Sequence, residues 1–264
     1  MSPAPSGPPT SREEIIRGLR QAGLGPGDIV LVHSSLASLG FVPGGAETVI
    51  DALVECVSPG GTVLFPTFTG SRELSHAHPP VFRPHETPCW TGLIPETARR
   101  RPDAIRSLGP THSVCAIGSR AQWLTADHEQ CTTPCGIGSP FHKLQQSGGK
   151  VLFIGVDLSC CTLFHHVEEL AGAPYVCVDE PVSARVVLAG GAEIATPLRI
   201  HVYGFPRDYT RFEPELADRG ILSLGKAGQA DLRVLEAGPF CDLMIPRVRE
   251  DPSVLLVGQG SAAR

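Results

Sequence analysis

The densest concentration of reactive side chains in the sequence is the run Asp157-Leu-Ser-Cys-Cys-Thr-Leu-Phe-His-His-Val-Glu-Glu169. It follows Lys150-Val-Leu-Phe-Ile-Gly-Val156, the clearest strand pattern in the chain, and leads into a segment of helical character. If that helix begins near Thr162, then Thr162, His165 and Glu168 or Glu169 lie three or four residues apart and share one face. A hydroxyl, an imidazole and a carboxylate so placed suit proton abstraction. The imidazole titrates near neutral pH, and an acidic neighbour fixes its tautomer and stabilises its charged form. The competing reading is structural: one of the two histidines packs against the sheet and the glutamates face solvent. The position just beyond a strand, where α/β sheets bind ligands, favours chemistry.

A second candidate is His33-Ser34-Ser35, at the carboxyl end of another strand and followed by a Gly-rich approach to a helix. Hydroxyls and N–H groups there suit a phosphate or a thioester carbonyl, although an ordinary strand-to-helix turn has the same pattern. The Gly-Lys-Ser/Thr ending of a phosphate-binding P-loop is absent, as are a dinucleotide fingerprint and the Gly-x-Ser-x-Gly elbow of serine hydrolases. Cys160 and Cys161 lie close enough to the His pair for a Cys–His nucleophile, but buried thiols before a helix are the commoner case. His76, His78 and His85, and the pair Cys131 and Cys135, lack the companion ligands of a zinc site, so no metal is expected.

The elements that must position these groups alternate in type. Thr10 or Ser11 with Glu13 or Glu14 forms a capping-box pattern ahead of a helix that stops by Gly23. Asp28 to His33 reads as a strand, Thr48 to Val54 as the start of a helix, and Gly61 to Pro66 as a strand, which together make a parallel βαβ unit. Residues 69–92 form a long excursion, which usually signals function. Further helices are expected at Leu93 to Arg100, Phe141 to Gln146, Thr162 to Ala171, Phe212 to Arg219 and Phe240 to Arg249. Further strands are expected at Ser113 to Ile117, Ala184 to Leu188, Leu198 to Tyr203 and Asp231 to Leu235. The sum is one α/β domain over 11–250 with a mixed central sheet flanked by helices, a disordered N-terminal tail at 1–10 and a C-terminal tail at 251–264.

Composition narrows the function class. With 42% hydrophobic and 19% charged residues, the chain can bury enough surface to fold unaided. Its 22 basic and 27 acidic residues leave no concentrated cationic face, which argues against nucleic acid. The Pro-rich start lacks the apolar core of a secretory signal, and no apolar run is long enough to cross a membrane. Nine scattered cysteines read as free thiols of a reducing, cytoplasmic setting.

Several motifs together resemble the aminoglycoside 3-N-acetyltransferase family, also called antibiotic N-acetyltransferases. They are His33-Ser34-Ser35-Leu36 with Leu39-Gly40, Gly44-Gly45 and Val49-Ile50-Asp51-Ala52-Leu53, and then Gly61-Thr62 and Pro66-Thr67. Arg106-Ser107, Pro110-Thr111-His112-Ser113, Ala116-Ile117-Gly118 and Gly136-Ile-Gly-Ser-Pro140 match the middle of the family pattern, and Thr162-Leu-Phe-His165-His-Val-Glu168 its Thr-x-x-His-x-Ala-Glu helix.

The resemblance implies transfer of acetyl from acetyl-CoA to an amine of an aminoglycoside-like small molecule at the 3-N position, with neither a metal nor a covalent enzyme intermediate. His165 would be the general base, Thr162 would assist beside the thioester, and Glu168 would orient the imidazole, with Asp208 a weaker candidate for that acid. His33, Ser34, Ser35, Leu36 and Ser38, with Arg106, Ser113 and Ser139, would line the coenzyme A channel. Cys161, Val167 and Gly109 depart from the family pattern, and residues 69–92 carry only Glu73 and Glu86 as acids. An acyltransferase of another small amine in secondary metabolism, and a catalytically silent coenzyme A binder, are the rival expectations. A monomer or homodimer is expected.

Overall fold

The computed structural model describes residues 8–257. In chain order the helices are α1 (Arg12–Gln21), α2 (Gly45–Val57), α3 (Leu93–Ala98), α4 (Ala121–Thr125), α5 (Pro140–Gln146), α6 (Leu163–Ala171), α7 (Glu213–Asp218) and α8 (Ala237–Glu250). The strands are β1 (Ile29–Ser34), β2 (Thr62–Pro66), β3 (Val81–Phe82), β4 (Ile105–Arg106), β5 (Val114–Gly118), β6 (Lys150–Ile154), β7 (Val182–Val187), β8 (Glu193–Leu198), β9 (Leu222–Ala227) and β10 (Ala230–Glu236).

Seven strands form the main sheet in the order β4-β5-β2-β1-β6-β10-β9. Its centre is parallel, with β1 between β2 and β6, and antiparallel pairs flank it on both sides. The apolar runs of the central strands follow from burial on both faces. Ile29, Leu31, Leu64 and Phe153 pack with Phe141, Leu163, Phe164 and Met244 on one side. Val30, Val32, Val63 and Leu152 pack with Ile15, Leu19, Val49 and Leu53 on the other. In this alternation His33 pairs in register with Phe153, and its ring stacks on that phenylalanine at 5.4 Å. The smaller sheet, β3-β7-β8, forms over the excursion.

Ser11 caps α1 in a reciprocal box, its hydroxyl accepting from the Glu14 N–H while the Glu14 carboxylate accepts from the Ser11 N–H. Elsewhere, some expected boundaries shift. α2 begins at Gly45 rather than Thr48, because Gly44 adopts the left-handed conformation that lets the chain turn into the helix. The strand expected at Leu198 to Tyr203 is instead Glu193–Leu198, after which only His201 bridges to Cys177. Its exposed positions, Glu193, Ala195 and Pro197, alternate with the more buried Ile194, Thr196 and Leu198 because one face of this hairpin is wet, but the residue types do not show that alternation. Strand β9 gave no signal because Gly225 and Gly228 read as loop.

Two expected boundaries also shift. Thr10 is buried and its hydroxyl donates to the Leu39 carbonyl, so the chain is packed from before residue 11. Leu255 is fully buried and its carbonyl accepts from the Asp208 N–H, so the segment after 250 packs on the domain up to the end of the described residues. The remainder of both expected tails, 1–7 and 258–264, lies outside the described residues. Among those described, no helix is long and apolar enough to cross a membrane.

Candidate active site

The carboxyl ends of β1, β2 and β6 open into a cleft of about 530 Å³. One wall is His33 and Ser34 with the turn that follows β6, and the other carries His112, His201 and Arg207. Helix α6 enters this cleft by its N-terminus. Thr162 has helical dihedral angles and makes no capping hydrogen bond, while its N–H donates to Nε2 of His33 at 3.5 Å. Its hydroxyl is therefore left for whatever occupies the cleft.

One turn later, Nδ1 of His165 meets Oε2 of Glu168 at 2.8 Å. The carboxylate only accepts, so the ring carries its proton on Nδ1 and Nε2 is the nitrogen with a free lone pair. Glu168 is fully buried and takes two further contacts from outside the helix: Nε of Arg207 donates to Oε1 at 2.6 Å, and the Tyr209 hydroxyl lies 3.5 Å from Oε2. Burial pushes the Glu168 carboxyl up, but the hydrogen bond from His165 and the charge and hydrogen bond of Arg207 hold it below the ordinary glutamate value. Glu168 is thus an anion with its charge compensated.

Glu169 turns the other way. Its Oε1 sits 2.5 Å from Nε2 of His201, and both carboxyl oxygens lie 3.0 Å from the Cys135 N–H. Burial pushes Glu169 up to about 8 and His201 well below its usual value, so the pair is neutral and the carboxylic acid donates to the imidazole. His166 is a core residue, with Nδ1 on the Cys135 carbonyl and Nε2 on the Gln145 amide. The two readings of the histidine pair therefore divide between its members: His165 opens to the cleft and His166 packs.

The rings of His112 and His201 flank His165, with centroids 6.2 and 4.8 Å away. Burial holds His112 well below the usual imidazole value and His33 at about 3, which keeps both neutral.

A second depression of about 980 Å³ begins where the first ends, since Ser34 and Gly92 line both. Ser35, Leu36 and the first residue of α2, Gly45, line it further along. The Ser34 hydroxyl is buried at this junction without a hydrogen-bond partner.

The remaining expected channel residues are elsewhere. Ser38 turns its hydroxyl onto the Ser35 carbonyl and lies against Gly155. Arg106 spends its guanidinium on the Thr67, Pro84 and Thr87 carbonyls and covers the Phe82 ring, tying down the excursion, so it is not free for a phosphate. Ser113 is fully buried on Thr67. Ser139 is the buried N-cap of α5. Asp208 bonds the Thr210 hydroxyl and the Arg211 N–H, and Arg207 beside it reaches Glu168 instead.

Arg207, His112 and His201 were not expected in the site. His112 and Arg207 come from irregular segments without periodicity, Arg207 lying 39 residues from its partner, and His201 falls in a segment read only as a strand. His76, His78 and His85 do not line the cleft. One triad of potential metal donors exists among the described residues: Cys135, Glu169 and His201, whose donor atoms lie within 4.8 Å of one another. Two of the three are already bonded to each other, and burial keeps the Cys135 thiol protonated.

A sequence model described as aminoglycoside 3-N-acetyltransferase matches residues 31–249. Aminoglycoside N(3)-acetyltransferase VII of Streptomyces paromomycinus is 33% identical, over 92% of each chain. The structure of aminoglycoside acetyltransferase AAC(3)-Xa superposes with a TM-score of 0.78 at 31% identity, covering 92% of this chain and 93% of that one. AAC-IIIb, solved as a binary complex with CoASH, does so with a TM-score of 0.77 at 28% identity, covering 91% and 96%. With the match spanning the sheet, the cleft and α6 together, the chain belongs to the aminoglycoside 3-N-acetyltransferase family.

Proposed function

We propose that the cleft transfers acetyl from acetyl-CoA directly to an amine of an aminoglycoside-like molecule at the 3-N position, with His165 as general base and no metal. The observation that carries this reading is the buried chain Arg207–Glu168–His165 ending in a free imidazole nitrogen at the mouth of a cleft. Nε2 of His165 takes a proton from the attacking amine, and the Glu168 carboxylate stabilises the imidazolium that results. The Thr162 hydroxyl is placed to donate to the oxygen of the acyl group.

Acetyl-CoA supplies the acyl group as a thioester. The second depression suits it on two grounds: the unpartnered Ser34 hydroxyl offers a hydrogen bond at the junction, and the N-terminus of α2 offers N–H groups to phosphate. Ser35 and Leu36 extend that wall. All nine cysteines are unpaired and seven are buried, which supports a reducing, cytoplasmic setting.

The test is thiol release from acetyl-CoA with 2-deoxystreptamine glycosides as acceptors. His165→Ala is expected to lower kcat by about 100-fold while leaving coenzyme A affinity nearly unchanged. An unaltered kcat removes His165 from the reaction.

A further inference from the structure

Arg207 is delivered to the site by chain far in sequence from α6, and it is held there from several sides. Its segment pairs with the C-terminal part of the chain. The Asp208 N–H donates to the Leu255 carbonyl at 3.0 Å, the Val257 N–H donates to the Pro206 carbonyl at 2.9 Å, and Arg207 itself forms an antiparallel bridge with Leu256. Leu255 is fully buried in the same core as Phe164 and Val167 of α6, so this strap is packed against the helix that carries His165. At the side chain, Nη1 donates to the Phe205 carbonyl at 3.0 Å, the Tyr175 ring centroid lies 5.4 Å from the guanidinium, and Nε donates to Oε1 of Glu168 at 2.6 Å. His165 meets the other oxygen, Oε2. One buried carboxylate thus joins the guanidinium to the imidazole.

The other titratable groups around this carboxylate are uncharged. Burial keeps His112 and His201 neutral and Glu169 protonated, and it raises the Tyr175 and Tyr209 hydroxyls and the Cys135 and Cys177 thiols. Among the described residues, Arg207 is the one arginine or lysine paired with Glu168.

Deepening the acyl-transfer reading above and resting on it, we propose that Arg207 is a positioning residue of the reaction, which acts through Glu168 to keep Nε2 of His165 free of a proton at neutral pH. Without the guanidinium, Glu168 is a buried anion beside a basic ring, and the pair relieves that cost by taking up a proton from solvent. The imidazole then carries hydrogen on both nitrogens and has no lone pair for the attacking amine. With the guanidinium in place the carboxylate is already compensated, and the extra proton is not required. The carboxylate still supports the imidazolium that forms when the amine gives up its proton. Arg207 therefore sets the balance between a base that is free and a base that is strong.

The experiment measures kcat/KM by thiol release from acetyl-CoA as a function of pH, with one 2-deoxystreptamine glycoside as acceptor. The acceptor's own titration is common to every variant, so a difference between acid limbs belongs to the enzyme. Arg207→Gln keeps an N–H donor for Oε1 and removes the charge. It is expected to move the acid limb up by about one pH unit, with about tenfold lower kcat/KM on the acid side and a high-pH plateau within about threefold of wild type. Arg207→Lys keeps the charge and alters the geometry, so its limb is expected to stay with the wild type while its plateau falls. An Arg207→Gln limb that coincides with the wild type overturns the proposal and leaves acyl transfer standing. So does an Arg207→Lys limb displaced upward by about one pH unit, a result that holds even where Arg207→Gln does not fold. No thiol release by the wild-type enzyme overturns the acyl-transfer reading and this proposal together.

Discussion

Two adjacent glutamates illustrate how much a single residue's surroundings decide. Glu168 is ionised because Arg207 and the hydrogen bond from His165 compensate it, whereas burial keeps Glu169, next in sequence, protonated, with no arginine or lysine among the described residues paired to it. The consequence for stability has a definite sign. Glu169 unfolded releases its proton near the ordinary glutamate value, but folded holds it up to about 8. The native state is therefore penalised as pH rises from the unfolded value toward 8. Glu168 acts oppositely: its lowered value stabilises the fold above the unfolded pKa, and that contribution is lost only as pH falls through the folded one. Replacing Glu169 by Gln keeps a donor toward His201 and removes the penalty. We expect Glu169→Gln to melt higher than wild type near pH 8, with the difference vanishing near pH 4. A Tm difference that does not depend on pH would mean that Glu169 is ionised in the fold. Spacing along the helix placed His165 and Glu168 together, because that contact is local. It was silent on Arg207 and on the fate of Glu169, which are fixed by segments far away in sequence.

At the scale of elements, the turn after β6 is the part of the scaffold on which the site most depends. Gly155 has φ +63°, and a Cβ there would lie 1.8 Å from the Ser38 hydroxyl. That close approach locks the 3₁₀ turn Leu36–Leu39 against the chain leading to α6, and so fixes the two sides of the Ser34 junction relative to each other. Gly155→Ala is expected to cost about 1–3 kcal/mol from backbone strain alone. It should also raise KM for acetyl-CoA, and calorimetry with steady-state kinetics checks both. A stable variant with an unchanged KM would show that this contact does not shape the cleft. The strand and the helix on either side of this turn were readable from periodicity. The contact itself was not, since a glycine between two motifs carries no sign of which hydroxyl it makes room for. Arg106 gives the converse lesson: the family resemblance implied a place in the coenzyme A channel, but its guanidinium is held by backbone carbonyls.

The whole molecule places all of its chemistry at one end of one sheet. Three parallel strands deliver their carboxyl ends to the cleft, and the antiparallel pairs outside them leave that end open. The class of fold was legible because buried parallel strands must be apolar throughout. Of the pieces missed, β3, β4 and α4 are too short to carry a pattern, and β8 and β9 are half-wet or Gly-containing and lie toward the margins.

The distribution of thiols turns the assay reagent into a gauge of the fold. One of the nine cysteines is exposed, one is intermediate and seven are buried. An aromatic disulfide reagent that scores each turnover should therefore first titrate Cys160 rapidly, as a fixed offset at zero time, and Cys89 more slowly. The other seven should stay dark until the core opens, so that their rate of labelling in the absence of substrate times unfolding of the native chain. Immediate labelling of all nine would mean that the two cores flanking the sheet are not closed in solution.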